Sequence, residues 1–274
     1  MLFDVAAEVT SNTRLSSDYN VIALKAPEIA QAAAPGQFVM VKPQAGLDPL
    51  LRRPLSIFER VLDANGTPVG LSLLNKRVGV GTALLYAAKP GDRVGVLGPL
   101  GKPFVPVDAP AEAWMVAGGV GLAPFSTLDE ALKARGTKRH LFYGARSKAD
   151  LHYADEFERA GAELHLTTED GSRGQRGRIT EPLEAALTAA PRDARITIYA
   201  CGPTPMMRAV ASVGQAAGHP VFVSLEPTMG CGMGGCYSCV VPTHKGTGRA
   251  FVRACIEGPV FDSRTVVWDS LTGH

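Results

Sequence analysis

The spacing of apolar residues divides the chain into a first part made of short strands and a second part where strands alternate with helices. Up to about residue 106, apolar or alternating segments are separated by turn sequences such as Pro35-Gly36 and Pro90-Gly91-Asp92. Short segments bounded by Gly, Pro and Asp are typical of strands. Many short strands with one helix predict a small antiparallel β-barrel. The predicted strands are 21–24, 37–41, 55–59, 69–74 and 93–97, and the helix is 82–88.

From about residue 107 the pattern changes to alternating strands and helices, which predicts a doubly wound parallel sheet. The predicted strands are 114–117, 140–143, 164–167, 196–200 and 221–225, and the helices are 124–134, 155–160, 181–189 and 204–217. The segment after residue 222 is loop-rich and too small to build its own core. We therefore expect a multi-domain α+β chain with an antiparallel β-barrel (1–106), an α/β parallel-sheet domain (107–222) and a small C-terminal module (223–274).

Composition and charge narrow the class of protein. The 274 residues are 46% hydrophobic and carry 28 basic and 26 acidic side chains, a net charge of +2. This balance gives no reason to expect a nucleic acid or an anionic membrane as a partner. The longest uncharged apolar stretch, 114–125, is too short to span a bilayer. The first residues lack the pattern of a signal peptide, so we expect a cytoplasmic protein.

The most specific chemical signal is the cysteine pattern near the C-terminus. Four of the five cysteines follow the spacing Cys231-x4-Cys236-x2-Cys239 with a distant Cys255. This is the plant-type ligand spacing for a [2Fe–2S] cluster. Glycines between the first three cysteines allow the backbone to wrap closely around such a cluster. The pattern predicts that these four cysteines are the metal ligands.

Three other interpretations of the cysteines fit less well. A structural zinc site usually pairs its ligands in two short knuckles, whereas the fourth ligand here is isolated. Disulfides are disfavoured by the odd number of cysteines and by the missing secretory signal. A Rieske centre needs two histidines, and only His244 lies between Cys239 and Cys255. Spacing alone leaves the zinc interpretation open.

Two glycine-rich segments are candidate phosphate sites. Gly118-Gly119-Val120-Gly121 lies between a predicted strand and a predicted helix, although it does not match G-x-G-x-x-G and also fits a simple tight turn. In the barrel, Arg53-Pro54-Leu55-Ser56 opens a strand where a guanidinium can clamp a diphosphate. Gly79-Val80-Gly81-Thr82 begins the predicted helix and offers backbone amides to the same anion.

Taken together, these motifs resemble the ferredoxin-NADP reductase superfamily and, within it, the electron-transfer subunits of dihydroorotate dehydrogenase B. The resemblance covers nearly the whole chain. It implies FAD contacts from Arg53, Pro54, Leu55, Ser56, Leu74, Asn75, Lys76, Gly81 and Thr82. It implies NAD contacts from Gly118, Gly119, Gly121, Cys201 and Gly202, and cluster ligation by Cys231, Cys236, Cys239 and Cys255. The family commonly has an aromatic residue and an arginine where this chain has Asn75 and Lys76.

The resemblance also implies a function. The cofactors are expected to be FAD, a [2Fe–2S] cluster and NAD, and the partner the FMN-containing dihydroorotate dehydrogenase subunit of pyrimidine biosynthesis, with two copies of each subunit. Hydride transfer to a flavin requires no side-chain acid, base or nucleophile, so no catalytic residue is nominated. One alternative is the NAD(P)H-linked subunit of a hydrogenase, sulfite reductase or ferredoxin oxidoreductase. A non-enzymatic alternative is a zinc-held interaction module on a nucleotide-binding domain.

Overall fold

A curled antiparallel sheet of seven strands forms the first part of the molecule. The computed structural model describes residues 1–245 and 248–271. The strand order is β4-β3-β7-β1-β2-β6-β5, with α1 (Pro27–Ala32) and α2 (Val80–Ala87) packed against β6. The strands are β1 (Phe3–Arg14), β2 (Tyr19–Lys25), β3 (Phe38–Lys42), β4 (Arg53–Ser56), β5 (Glu59–Leu62), β6 (Pro68–Lys76) and β7 (Arg93–Leu100).

The two edge strands of the sheet, β4 and β5, are consecutive in the chain, so the curled sheet is nearly closed. Between them, the Ile57 N–H donates to the Gln37 carbonyl beside β3, and the Phe58 N–H donates to the Ser72 carbonyl of β6. The chain therefore bridges both edges of the sheet at this point, as the barrel predicted from the sequence requires. The predicted strand 55–59 was wrong in one respect, because the bridge separates it into β4 and β5.

Two elements of this sheet were not predicted. The twelve-residue β1 pairs with both β2 and β7, and most of its residues are not fully buried. Its apolar positions are mostly alanine and valine, so they do not form the strong run that marks the other strands. The six-residue α1 is too short to show a helical period.

The second sheet carries the predicted alternation of strands and helices. Its order is β11-β10-β9-β8-β12-β13-β16, and all neighbours are parallel except the last pair. The strands are β8 (Glu112–Gly118), β9 (Lys138–Ala145), β10 (Glu163–Thr168), β11 (Gln175–Arg176), β12 (Ile196–Cys201) and β13 (Val221–Ser224). The helices are α3 (Phe125–Lys133), α4 (Ala154–Arg159), α5 (Thr180–Ala189) and α6 (Thr204–Ala216), with short 3₁₀ turns at Gly119–Leu122 and Lys148–Asp150.

The C-terminal segment is more ordered than the loop-rich module predicted from the sequence. It contains the hairpin β14 (Val240–Lys245) and β15 (Gly248–Arg253), then α7 (Ala254–Glu257) and β16 (Val260–Asp262). β16 returns to the second sheet, where it pairs antiparallel with β13. Two 3₁₀ turns, Ser263–Thr265 and Trp268–Ser270, follow it. The domain boundaries at residues 106 and 222 stay predictions.

One hydrophobic core joins all three parts of the chain. It contains Met40 and Leu100 of the first sheet, Val223 of the second sheet, and Cys239 and Cys255 of the C-terminal segment. The C-terminal segment therefore folds on the surfaces of both sheets, which compensates for its small size. None of the helices in the described part of the chain is both long and apolar enough to cross a membrane.

Candidate functional site

The four predicted cluster ligands lie together at the end of the C-terminal segment. Cys239 precedes β14 and is buried, and Cys255 in α7 is buried beside it. Cys231 and Cys236 lie on the outer, glycine-rich part of the loop, where Cys236 is exposed. The Cys231 N–H donates to the Cys236 Sγ at 3.3 Å, and the Met233 N–H donates to the Cys231 Sγ at 3.3 Å. Backbone amides therefore already point at the sulfurs.

The sulfur atoms form two pairs and do not surround one point. Cys231 contacts Cys236, and Cys239 contacts Cys255. Among the described residues, which include all four cysteines, no three cysteine sulfurs lie within 4.8 Å of one another. A single tetrahedral zinc ion with Zn–S bonds near 2.3 Å would bring every pair within about 3.8 Å. The donor set therefore fits a binuclear iron–sulfur cluster better than one zinc ion.

Cys236 and Cys255, one from each pair, differ in the pKa of their thiols. The Ser238 hydroxyl and nearby backbone amides lower the pKa of the Cys236 thiol to about 6. Burial, followed by the neighbouring Cys239 thiol, raises the pKa of Cys255 to about 12. The outer pair therefore offers a thiolate at neutral pH, whereas Cys255 loses its proton only when a metal takes its place.

The cysteine loop is fixed to its surroundings by a glycine and an arginine. Gly232 has a φ of +73°, and an added Cβ would collide with the Met40 side chain of β3. Arg253 donates from Nη1 to the Gly234 carbonyl at 3.0 Å, and its guanidinium lies 5.2 Å from the centre of the Tyr237 ring. The loop that carries three of the cysteines is thus seated directly on the first sheet.

The predicted diphosphate residues of the first sheet come together across the barrel. Arg53 begins β4, and its guanidinium donates to the Leu51 carbonyl at 2.7 Å. It lies over Gly81 in the first turn of α2, where an added Cβ would be 2.7 Å from the Arg53 Nε. Thr82 Oγ1 accepts the backbone N–H groups of Val78 and Gly79 at 2.9 and 3.0 Å. A fixed guanidinium beside a helix N-terminus fits a diphosphate anion.

The remaining predicted flavin residues lie on the two strands that flank this point. Pro54, Leu55 and Ser56 are half-buried along β4, paired with β3. Leu74 is buried near the end of β6, and the Lys76 Nζ lies 5.1 Å from the centre of the Tyr19 ring.

Asn75 belongs to a chain of three asparagines that holds α2 against the barrel. Its Nδ2 donates to Asn20 Oδ1 at 2.7 Å and to the Thr82 carbonyl at 3.0 Å. Asn20 in turn donates to Asn12, which donates to the Ala88 carbonyl at the C-terminal end of α2. Asn75 Oδ1 is buried without a hydrogen-bond partner among the described residues. The amide at this position thus positions the helix whose N-terminus faces Arg53.

The predicted nucleotide residues meet at the carboxyl edge of the second sheet. Gly118 ends β8, and Gly119 and Gly121 form the turn after it, while Cys201 ends β12 and Gly202 follows. β8 and β12 are direct neighbours, and the strand order reverses between them. An added Cβ on Gly121 would collide with the Cys201 carbonyl. Such a reversal point is where open α/β sheets bind nucleotides.

Two residues of this region were missed by sequence reasoning. Tyr19 is buried between the two sheets, its ring tilted 55° to that of His152 with ring centres 4.7 Å apart, and its hydroxyl lies beside Gly119. No motif marks Tyr19. Glu226 follows β13 with its carboxylate 3.7 Å from the Cys201 Sγ. An acidic residue just beyond a predicted strand, at the ligand-binding edge, was the available signal.

The environments of Cys201 and Glu226 favour uncharged side chains. Burial raises the pKa of the Cys201 thiol well above its usual range, and the nearby Glu226 carboxylate raises it further. The protein atoms packed around Glu226 raise the pKa of its carboxyl as well. The Glu226 side chain is nevertheless exposed to solvent, so water weakens the upward shift of its pKa.

Known proteins resemble both the parts and the whole of this chain. The family model of an oxidoreductase NAD-binding domain matches residues 115–212. The model of the iron–sulfur cluster binding domain of dihydroorotate dehydrogenase B matches residues 226–267. The solved structure of an NADH-dependent reduced ferredoxin-NADP oxidoreductase is similar with a TM-score of 0.83 and 30% identity, covering 97% of this chain and 91% of that chain.

Two curated relatives cover most of the chain. The dihydroorotate dehydrogenase B (NAD(+)) electron transfer subunit of Geobacillus kaustophilus is 42% identical over 87% of this chain and 89% of its own length. The homolog of this subunit from Aquifex aeolicus is 34% identical over 97% of this chain and 100% of its own length. A ferredoxin reductase of carbazole 1,9a-dioxygenase, at 22% identity and a TM-score of 0.66, shares the fold.

The fold and the cysteine site define a ferredoxin reductase-like oxidoreductase that transfers electrons between a nicotinamide, a flavin and an iron–sulfur cluster. Within that class, the chain belongs to the family of dihydroorotate dehydrogenase B electron transfer subunits. The resemblance, the fold class and the cofactor set predicted from the sequence, FAD, [2Fe–2S] and NAD, are thereby confirmed.

Proposed function

We propose that this chain carries electrons between NAD(H) and the FMN-containing catalytic subunit of dihydroorotate dehydrogenase B, in a complex with two copies of each subunit. The packing of the cysteine loop on β3 of the first sheet supports this proposal, because it joins the predicted flavin and cluster regions in one core. When bound, FAD supplies the exchange between two-electron hydride chemistry and the one-electron chemistry of the cluster. Reduced thiols suit a cytoplasmic location.

The protein's part is to bind and orient the cofactors. Cys231 with Cys236 and Cys239 with Cys255 would each hold one iron of the cluster, following the two pairs of neighbouring thiols. Arg53 and the N-terminus of α2, with Gly81 and Thr82, bind the FAD diphosphate. The strand residues Pro54, Leu55, Ser56, Leu74, Asn75 and Lys76 contact or support the flavin. Gly118, Gly119, Gly121, Cys201 and Gly202 bind NAD.

The FAD assignment is tested with Arg53→Ala. Loss of a charge-assisted contact to the diphosphate should cost about 1.5–3 kcal/mol, or roughly 10- to 150-fold in FAD affinity. Arg52→Ala is the matched control, because Arg52 pairs with Asp4 at 2.9 Å on the sheet surface and should leave FAD affinity unchanged. FAD affinity is measured by flavin fluorescence on titration of the deflavinated protein. Equal losses in the two variants would contradict the role of Arg53.

The C-terminal segment that carries the cysteines has an apolar surface suited to binding a partner protein. Its members are large hydrophobic side chains that stay exposed on or beside the cysteine loop: Met233, Tyr237, Val240, Phe251 and Ile256. Phe251 in β15 is 72% exposed, which is unusual for phenylalanine in a soluble protein. Exposed apolar groups that cluster around a redox centre mark a surface for protein association. We place the catalytic subunit on this surface.

The partner proposal is tested by mixing the purified chain with the FMN-containing subunit. We expect a stable complex that reduces NAD⁺ with dihydroorotate. Phe251→Ser should weaken the complex by about tenfold or more, as for a central interface aromatic. Reduction of ferricyanide by NADH should stay unchanged in this variant. Val105→Ser, also strongly exposed but remote from the cysteines in the chain, is the control. A complex unaffected by Phe251→Ser would refute this docking surface.

A second candidate function follows from the ferredoxin-NADP oxidoreductase structure, which shares 30% identity with nearly the whole chain. In that case the partner is a subunit of a ferredoxin-linked oxidoreductase. Affinity purification of the chain from its own cells, followed by identification of the bound subunit, separates the two candidates. Recovery of a ferredoxin-linked partner in place of the FMN subunit would favour the second.

A further inference from the structure

Two histidines and a glutamate face one another at the amino-terminal edge of the second sheet. His140 lies in β9, and Glu163 and His165 lie in β10 on the same face of the sheet. His140 is level with Trp114 of β8, four residues before Gly118 at the nucleotide edge. At about 3.3 Å per residue, this places the group about 13 Å from that edge. It is therefore separate from the nucleotide site.

The donor atoms of these three residues, called the histidine trio below, lie within 4.8 Å of one another. His140 Nδ1 lies 3.4 Å from His165 Nε2. One oxygen of Glu163 is 3.5 Å from His140 Nδ1, and the other is 3.5 Å from His165 Nε2. Ligands bound to Zn²⁺ at 2.0–2.1 Å in a tetrahedron are about 3.3–3.4 Å apart. The nearest separations within the trio are close to this value.

The Nε2 atom of His140 faces a carboxylate that can hold the ring in an orientation suitable for metal binding. The His140 side chain is 7% exposed, and its Nε2 lies 3.2 Å from the Glu112 carboxylate without a hydrogen bond of good geometry. With its proton on Nε2, the side that faces Glu112, the ring leaves Nδ1 for a metal. A carboxylate behind a ligating histidine fixes its tautomer and raises its basicity. Glu112 is itself held by the Trp114 Nε1–H at 3.1 Å and Lys138 Nζ at 3.3 Å.

Packing fixes the His165 ring of the trio, whereas solvent reaches the trio from one side. The His165 ring stacks on Phe142 with centres 4.2 Å apart, which fixes its plane. The side chains of His165 and Glu163 are 26% and 55% exposed, so an ion and a water ligand can enter from solvent. Burial lowers the pKa of both imidazoles, so both rings are neutral near pH 7.

We propose that His140, Glu163 and His165 form a mononuclear site for Zn²⁺ or a similar first-row divalent ion, with water as the fourth ligand and Glu112 as a positioning residue. Imidazole and carboxylate donors suit such ions. The ion links β9 to β10 at the sheet edge opposite the nucleotide, so its role is structural. The site does not depend on the function proposed above.

Zinc binding to the holoprotein tests this proposal. Titration calorimetry with ZnCl₂ in chelator-free buffer should show one site per chain, with no loss of iron or of the visible cluster bands. His165→Ala should abolish this site. Glu163→Gln, a change at an exposed side chain that leaves folding intact, should weaken it at least tenfold. His219→Ala, which alters a histidine outside the trio, should leave it unchanged.

Thermal unfolding supplies a second readout. Saturating Zn²⁺ should raise the Tm of the wild-type holoprotein and of His219→Ala, but not that of His165→Ala, because only a ligand bound to the folded state stabilises it. Equal zinc stoichiometry in the wild type and His165→Ala, or no binding by the wild type, would overturn the proposal. Zinc that displaced iron from the cysteines would be bound equally by the wild type and His165→Ala and would remove the visible cluster bands, so this failure is distinguishable from an absence of zinc binding.

Discussion

The cysteine loop and the histidine trio are both sets of metal donors, but they differ in how the donors are arranged. The cysteine sulfurs lie in two separate pairs on a glycine-rich loop. The donors of the trio converge within 3.5 Å on two paired strands. The first arrangement suits a cluster with two metal centres, and the second suits one ion. The distances among donors, more than their chemical type, distinguish the two kinds of site.

The two sites also differ in what holds them. The cysteine loop is held by Arg253 and by packing on Met40, and its outer sulfurs are open to a partner. The trio stands on a sheet, with Trp114 beside the His140 ring and Phe142 stacked against the His165 ring. A loop can adjust when a cluster is assembled, whereas paired strands hold their side chains close together before an ion binds. We therefore expect cluster loss to disturb its loop and zinc loss to leave the sheet in place.

The largest effect is expected from Cys236→Ser. Loss of one thiolate ligand should remove the cluster bands from the visible spectrum and nearly all electron transfer to the partner, while FAD stays bound. Cys201→Ser is the control for iron and sulfide content alone, since Cys201 ends β12 and is not one of the four ligands. Iron and acid-labile sulfide analysis provides the measurement. Unchanged iron in Cys236→Ser would contradict the ligand assignment and the paired arrangement with it.

A smaller effect is expected from Glu112→Gln, which keeps the three ligands of the trio and changes only the group behind His140. Loss of such a carboxylate typically weakens metal affinity by about 10- to 100-fold. Zinc affinity is measured by calorimetry, with the exposed Glu158→Gln as the control. The cluster spectrum should be unaffected in both variants. Equal zinc affinity in the two variants would show that Glu112 does not support zinc binding by the trio.

The smallest effect is expected from Ser238→Ala at the cysteine loop. The Ser238 hydroxyl accepts the Gly230 N–H at 2.8 Å and lies 3.2 Å from the Cys236 Sγ, to which it donates when Cys236 is a thiolate. Such a bond stabilises the more negative reduced cluster. Its loss, at about 1 kcal/mol, should lower the reduction potential by about 40 mV. A redox titration followed by EPR measures this shift, with the distant Ser17→Ala as control. A potential equal to that of the wild type would show that Ser238 does not tune the cluster.

Sequence reasoning succeeded where the pattern is local. Five strands of the second sheet and its four helices were predicted to within a few residues, because buried parallel strands are continuous apolar runs. The short edge strands β11 and β16 were not predicted. β1 was missed because its pairing with β2 and β7, rather than its own composition, makes it a strand. Tyr19 and Glu226 were missed for a similar reason, since each gains its position from a segment far away in the chain.

The sequence by itself determined the class of protein, because the cysteine spacing, the Arg53-Pro54-Leu55-Ser56 motif and the glycine turn at 118–121 each lie within one short segment. Only the tertiary structure decided that the sulfurs form two pairs, that Asn75 holds α2, and that His140 and His165 meet. Those features depend on strand register and on the packing of the C-terminal segment against two sheets. Distances between segments far apart in the chain are set by the fold as a whole, which no local pattern encodes.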